Sequence, residues 1–260
     1  MTDTGPHGSF LVRHDFLIRR LHSLSGLVPV GAYMVVHLLV NSSILASTTI
    51  FQDNVDRIHS VGPLALQVIE WVFIFIPILF HAIFGVVIIA GGVPNTGEYR
   101  HGSNIRYTLQ RATGIIAFFF IAWHLWHMHH YFEPLGGGNF QPEHASSSAA
   151  EALSTLPVKI GYTVGVLACC FHLANGMWTM GITWGVWTSP RAQKHASTVC
   201  AVFGIGLACV GLSAMSGFGD VDIKATREME NRKIQVDKYI KGEEELPTHK
   251  HDDADDEPGG

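Results

Sequence analysis

Charge is scarce in most of this 260-residue chain: 15% of residues are charged, and seven of the 17 Lys and Arg lie beyond residue 220. Soluble domains carry about a quarter charged residues, so an ordinary water-facing globule is excluded. The net charge of −5 mostly describes the terminal segment, and no nucleic-acid partner is expected. Cysteine is sparse too. Cys169, Cys170, Cys200 and Cys209 sit in apolar runs without CxxC or other metal-ligand spacing, which excludes a disulfide framework and a zinc site. No CxxCH occurs, so covalent attachment of haem is excluded. No cleavable signal peptide is expected, because the first apolar run follows Arg13, Arg19 and Arg20 without a small-residue cleavage site.

What the chain has instead is apolar length, with a mean hydropathy of +0.23. A bilayer core takes about 20 mostly apolar helical residues to cross. Five stretches qualify: Leu24–Leu45, Leu64–Gly91, Ala112–Tyr131, Val158–Val186 and Ser197–Phe218. Within them Glu70 is the one carboxylate, and Lys159, at the edge of the fourth, the one Lys or Arg. Pro29 and Pro77 fall inside spans, which neighbouring helices can tolerate. Gly85, Gly165, Gly176, Gly181, Gly204 and Gly206 suit close helix packing in lipid. The fold class is therefore an all-α integral membrane bundle of five transmembrane helices. Residues 1–219 form the membrane domain and 220–260 a polar tail, read as an exposed helix followed by a disordered end, where a metal role for His249 and His251 is the minor reading. The connection near Glu133–Thr155, with its GGG and SSS runs, reads as a flexible outer loop.

Lys and Arg in the short connections set the orientation. Arg13, Arg19, Arg20, Arg100, Arg106, Arg111, Arg191 and Lys194 fall on one side, against Arg57 and Lys159 on the other. The N-terminus is thus expected in the cytoplasm and the C-terminus outside.

Among sixteen histidines, His37, His81, His124 and His172 each lie within a different apolar span. An ionisable group there is costly and is a functional hypothesis by default. One such residue could be a packed imidazole bonded to a neighbouring backbone; four on four helices call for a shared purpose. By helical rise, His37 lies about 6 Å and His124 about 14 Å from the outer polar stretches, whereas His81 and His172 lie about 27 Å and 20 Å from them. His37 and His124 therefore share an outer level, and His81 and His172 an inner one. Two imidazoles at one level can occupy both axial positions of a haem iron, so two levels imply two stacked haems b. Helix two reads FHAIFG and helix four FHLANG, each with a glycine (Gly85, Gly176) one turn past the histidine, leaving room for a porphyrin edge. His127 is the alternative to His124, which lies deeper. At the inner mouth Arg20, Ser23 and Arg111 are candidates for the haem propionates, with His14 and His22 nearby. Glu70, Trp126, His127 and His129 lie toward the outer level as candidate quinone contacts.

The strings RRLHSLSGLVPVG, HLLVN, FHAIFGV, LQRATGI, WHLW, FHLANGMW and TWGVWTSPR, running in order from about Phe16 to Gly219, resemble the succinate dehydrogenase cytochrome b558 family, the single-chain di-haem anchors of succinate:quinone oxidoreductases and fumarate reductases. The resemblance implies a five-helix bundle in a bacterial cytoplasmic membrane, with His37, His81, His124 and His172 as axial ligands. It also implies flavoprotein and iron–sulfur partner subunits on the cytoplasmic face, and a quinone, usually menaquinone, as the other redox partner. The dicarboxylate chemistry would then belong to a partner subunit. Two other readings compete. The di-haem anchor of another quinone-linked oxidoreductase would concentrate its ligands on two helices, and a transporter with a histidine proton relay would carry no pigment.

Overall fold

The computed structural model describes residues 10–90 and 102–243; Arg100, His249 and His251 lie outside them. The first long helical element comprises α1 (Phe10–Ser25), a π-helical turn (Gly26–Gly31), α2 (Ala32–Ser42) and a 3-10 turn (Ser43–Leu45). After α3 (Thr48–His59), the second comprises α4 (Pro63–Ile69), a π-helical turn (Glu70–Phe75) and α5 (Ile76–Ala90). The third is α6 (Gly102–Met128). Two 3-10 turns (His130–Leu135, Pro142–His144) and α7 (Ala145–Ala152) lead to α8 (Leu156–Thr183) and α9 (Pro190–Gly219), and α10 (Ile223–Ile240) is the last helix among the described residues.

Both π turns sit at prolines. Pro29 and Pro77 offer no N–H and crowd the carbonyl four residues back, so the ladder widens locally to i→i+5 bonds such as Ala32 N–H to Leu27 O and Ile76 N–H to Trp71 O. The helix continues through each proline and changes phase instead of breaking.

Among the described residues, four elements are long and apolar enough to cross a membrane: His14–Leu45, Pro63–Ala90, Leu156–Thr183 and Pro190–Gly219. Two begin well before the apolar stretches of the sequence, at His14 and Pro190, because Arg19, Arg191 and their neighbours continue the helix past the apolar edge, whereas Pro63 and Leu156 lie within two residues of the expected starts. The 27-residue α6 would span about 40 Å, but Arg106, Arg111, His124 and His127 dilute its apolar content. Large apolar side chains point outward along the bundle, including Leu79 (60% exposed), Phe119 (66%) and Ile205 (65%). In water that surface would be untenable; in lipid it is the ordinary exterior.

The bundle is unevenly packed. α8 packs closely on α6 and on α9, and α1 on α5, whereas α5 barely touches α6. Glycine permits the tight contacts: an added Cβ at Gly204 would lie 2.7 Å from Ala174 Cβ, and one at Gly165 would lie 2.1 Å from the Phe120 ring. Gly206, by contrast, faces open space. All four cysteines are unpaired, with Cys169, Cys170 and Cys200 buried.

Two expectations are corrected. The connection after α6 is built, not loose. Gly138, Asn139 and Phe140 N–H groups bond the Trp126, His127 and Met128 carbonyls, capping the helix end. Gly137 is required there, since a Cβ would lie 1.9 Å from Trp126 O. The serine run is a buried helix: Ser146 and Ser147 in α7 are fully buried. The first part of the tail, α10, is a helix as expected, but it is docked. Its buried Glu230 carboxylate accepts from the Ser146 N–H (3.0 Å), the Ser147 N–H (3.2 Å) and the Ser147 hydroxyl, an acidic cap on the α7 N-terminus. Lys233 pairs with Asp53 and Asp56 of α3, both at 2.7 Å, and Arg227 with Glu151 at 3.3 Å. α3, α7 and α10 thus form a cap over one end of the bundle, around Ile44, Phe51, Val55, Leu153, Tyr162 and Phe218.

Candidate functional site

The four span histidines meet as two cross-helix pairs. His81 of α5 and His172 of α8 have ring centres 6.1 Å apart at 87°. Each is fixed from behind: His81 Nδ1 lies 2.8 Å from the His22 carbonyl, and His172 Nδ1 lies 3.1 Å from the Gln110 carbonyl. A carbonyl only accepts, so both Nδ1 atoms carry the proton and each Nε2 keeps a free lone pair. Gln110 closes the arrangement, its Nε2 donating to His172 O and its Oε1 accepting from Asn175 Nδ2.

Glycines seat these rings, though not those the local pattern suggested. A Cβ at Gly26 would lie 2.3 Å from His81 Cε1, and one at Gly114 would lie 2.9 Å from His172 Cε1. Gly85 instead faces His22 Cε1 and Gly176 faces Gln110 Nε2. His22 stacks on His81 with ring centres 4.0 Å apart, and its buried Nδ1 has no hydrogen-bond partner among the described residues.

The second pair is His37 of α2 and His124 of α6, with ring centres 5.9 Å apart at 73°. Tyr33 stacks on His37 and Phe120 on His124. Behind His124, Nδ1 lies 3.1 Å from the hydroxyl of Tyr162. His127 bonds that same hydroxyl through Nδ1 at 2.9 Å and stacks on Trp123.

Both separations suit a metal held between two rings. An imidazole nitrogen sits about 2 Å from a first-row metal and the ring centre about 1 Å farther, so two axial rings have centres about 6 Å apart. The donors are imidazoles, and those of His81, His124 and His172 have their second nitrogens hydrogen-bonded, as such ligands require. The rings bridge α5 to α8 and α2 to α6. No group of three or more His, Cys, Asp and Glu arranged for a bare metal ion exists among the described residues, and a bis-imidazole iron needs none.

The remaining site candidates scatter. The Ser23 hydroxyl donates to Arg20 O at 2.9 Å and accepts from Trp184 Nε1 at 3.1 Å. The Arg20 guanidinium lies between the Phe16 and Trp184 rings, which gathers Arg20 and Ser23 at one place. Arg111 lies elsewhere, bridging α6 to α5 through Ile88 O and covering the Tyr107 ring. Glu70 comes within 3.6 Å of His129, beside Phe75 and Tyr131. Trp126 is engaged with Leu135 O.

Residues 93–212 match the family described as succinate dehydrogenase/fumarate reductase transmembrane subunit. A relative, the succinate dehydrogenase cytochrome b558 subunit of Bacillus subtilis (strain 168), is 35% identical over 206 residues, covering 78% of this chain and 97% of its own length. The chain belongs to the succinate dehydrogenase cytochrome b558 family. A cytochrome b558 chain is a multi-pass membrane subunit of an enzyme complex, which accounts for the lipid-facing exterior.

Sequence reasoning passed over Gly26, Gly114 and Tyr162. Their importance comes from contacts between helices, which single-helix periodicity does not register. A tyrosine inside an apolar run, with a hydroxyl to satisfy, was the one available signal for Tyr162.

Proposed function

We propose that this chain is the membrane anchor and di-haem b subunit of a succinate:quinone oxidoreductase. In this reading it relays electrons between an iron–sulfur partner subunit and a membrane quinone, menaquinone. The observation that carries the reading is the two imidazole pairs at 6.1 and 5.9 Å. His81 and His172 would hold the inner haem, and His37 and His124 the outer one. Haem b supplies a one-electron carrier at each site.

The chain's own residues orient the ligands and shield them. The His22 and Gln110 carbonyls fix the tautomer and direction of the inner imidazoles, and Tyr33 and Phe120 stack against the outer ones. Arg20, Ser23 and Arg111 are the groups proposed for propionates. At the outer end, Glu70 and His129 put a carboxylate and an imidazole 3.6 Å apart, flanked by Phe75 and Tyr131, an arrangement suited to binding a quinone head and exchanging its protons. With α6 as a fifth span, the basic connections place the N-terminus and inner pair on the cytoplasmic side, where flavoprotein and iron–sulfur subunits would dock, and the cap of α3, α7 and α10 outside.

The test is purification of the native complex from membranes. Flavoprotein and iron–sulfur subunits should co-purify, and succinate should reduce a b-type haem seen in the reduced-minus-oxidised spectrum. Absence of a b-type α-band would overturn the haem assignment and favour the proton-relay transporter.

A further inference from the structure

Tyr162 sits ten residues before His172 on α8, buried to 6% exposure in the cluster under the cap. A phenol in such surroundings is tolerated when its hydroxyl is bonded, and here, among the described residues, it meets two imidazole nitrogens and no carbonyl. Four rings fix it in place: Phe120 at 5.3 Å, Trp123 at 5.0 Å, His124 at 5.6 Å and His127 at 5.8 Å. It therefore cannot swing to another acceptor.

Proton accounting gives this contact a direction. If His124 ligates iron through Nε2, its neutral imidazole carries the proton on Nδ1. That N–H donates to the Tyr162 oxygen at 3.1 Å. The phenol proton then has one destination, His127 Nδ1 at 2.9 Å, whose own proton sits on Nε2. The chain runs from His124 N–H to the Tyr162 oxygen, and from the Tyr162 hydroxyl to His127. Donating to His127 makes the phenol oxygen a better acceptor for His124.

We propose that Tyr162 is a positioning residue of the outer haem: it fixes the His124 tautomer and, polarised by His127, raises the basicity of that ligand. This rests on the reading of His124 as an axial ligand. A more basic imidazole favours the oxidised iron, so the Tyr162 contact lowers the potential of the outer haem. The inner ligands bond the backbone carbonyls of His22 and Gln110, so the effect belongs to one haem alone.

The test uses the intact complex carrying Tyr162→Phe, which removes the hydroxyl and keeps the ring. Redox titration and low-temperature EPR of both ferric haems are the readouts. Both haems should be retained, with the midpoint potential of the outer one raised, its EPR signal shifted, and the inner one unchanged. The outer haem is identified as the one still present in His81→Leu. His127→Leu should shift the same haem in the same direction by less. Unchanged potentials in Tyr162→Phe, or equal shifts in both haems, overturn the proposal. If Tyr162→Phe loses the outer haem, His127→Leu decides: a shift upholds the proposal and no shift overturns it. A wild-type complex without two haems is a different failure, that of the ligand assignment itself.

Discussion

The bundle and its cap solve the burial of polar groups in opposite ways. In the bundle, apolar residues face outward and the imidazoles pair across helices, those of His81, His124 and His172 with one nitrogen on a carbonyl or hydroxyl. In the cap, full negative charge goes inside: Glu230 is 6% exposed, compensated by two backbone amides, a serine hydroxyl and nearby Arg227, whose Nε donates to that same hydroxyl at 2.6 Å. The difference follows from the surroundings. Lipid offers no hydrogen bonds, so a spanning helix keeps few polar groups and satisfies them internally. An aqueous face lets charged latches such as Lys233 form with partly exposed partners.

If the two regions are separate devices, damage to one should leave the other intact. The largest effect is expected from His172→Leu, which should remove one of two haems and halve the α-band, to about 50% of wild type, without changing protease resistance of α10. Next is Gly26→Ala, whose new methyl would lie 2.3 Å from His81 Cε1. It should displace that ring and cost about 1–3 kcal/mol, seen as a lower unfolding temperature with reduced occupancy of one haem. Glu230→Ala should leave the α7 amides unsatisfied at about 3 kcal/mol, exposing α10 to limited proteolysis while both haems stay. A Glu230→Ala variant that lost haem would show the regions to be one device.

The smallest effect is pH-dependent. Burial pushes the Lys233 ammonium down, but hydrogen bonds and charge from Asp53 and Asp56 outweigh it and raise its pKa above the ordinary 10.5. The latch therefore contributes fully below pH 10.5 and is lost as pH rises through the raised folded value. Proteolysis of α10 should accelerate only there, and by little, because Lys233 is partly exposed.

Four of the five expected spans, and which histidines come together, were legible in the sequence, because apolar run length and helical rise are local properties. The cap was not. Ser146–Ser148 look like linker by composition, and what buries two of them, Glu230, lies more than eighty residues onward. Gly136–Gly138 look flexible for the same reason, while their role is to let backbone close on the end of α6. Gly85 and Gly176 drew notice because they share a face with a histidine of their own helix, yet the glycines that seat the rings, Gly26 and Gly114, lie on neighbouring helices.

The two kinds of acceptor behind the histidines also differ in what heredity can do to them. The His22 and Gln110 carbonyls are main-chain atoms, and no amino-acid replacement deletes them while the helices persist. The Tyr162 hydroxyl is a side-chain atom, and one base change turns a tyrosine codon into a phenylalanine codon. On that footing, in the proposed reading, the inner acceptors pass unaltered between descendants with the fold, while the outer one is open to change by single mutations.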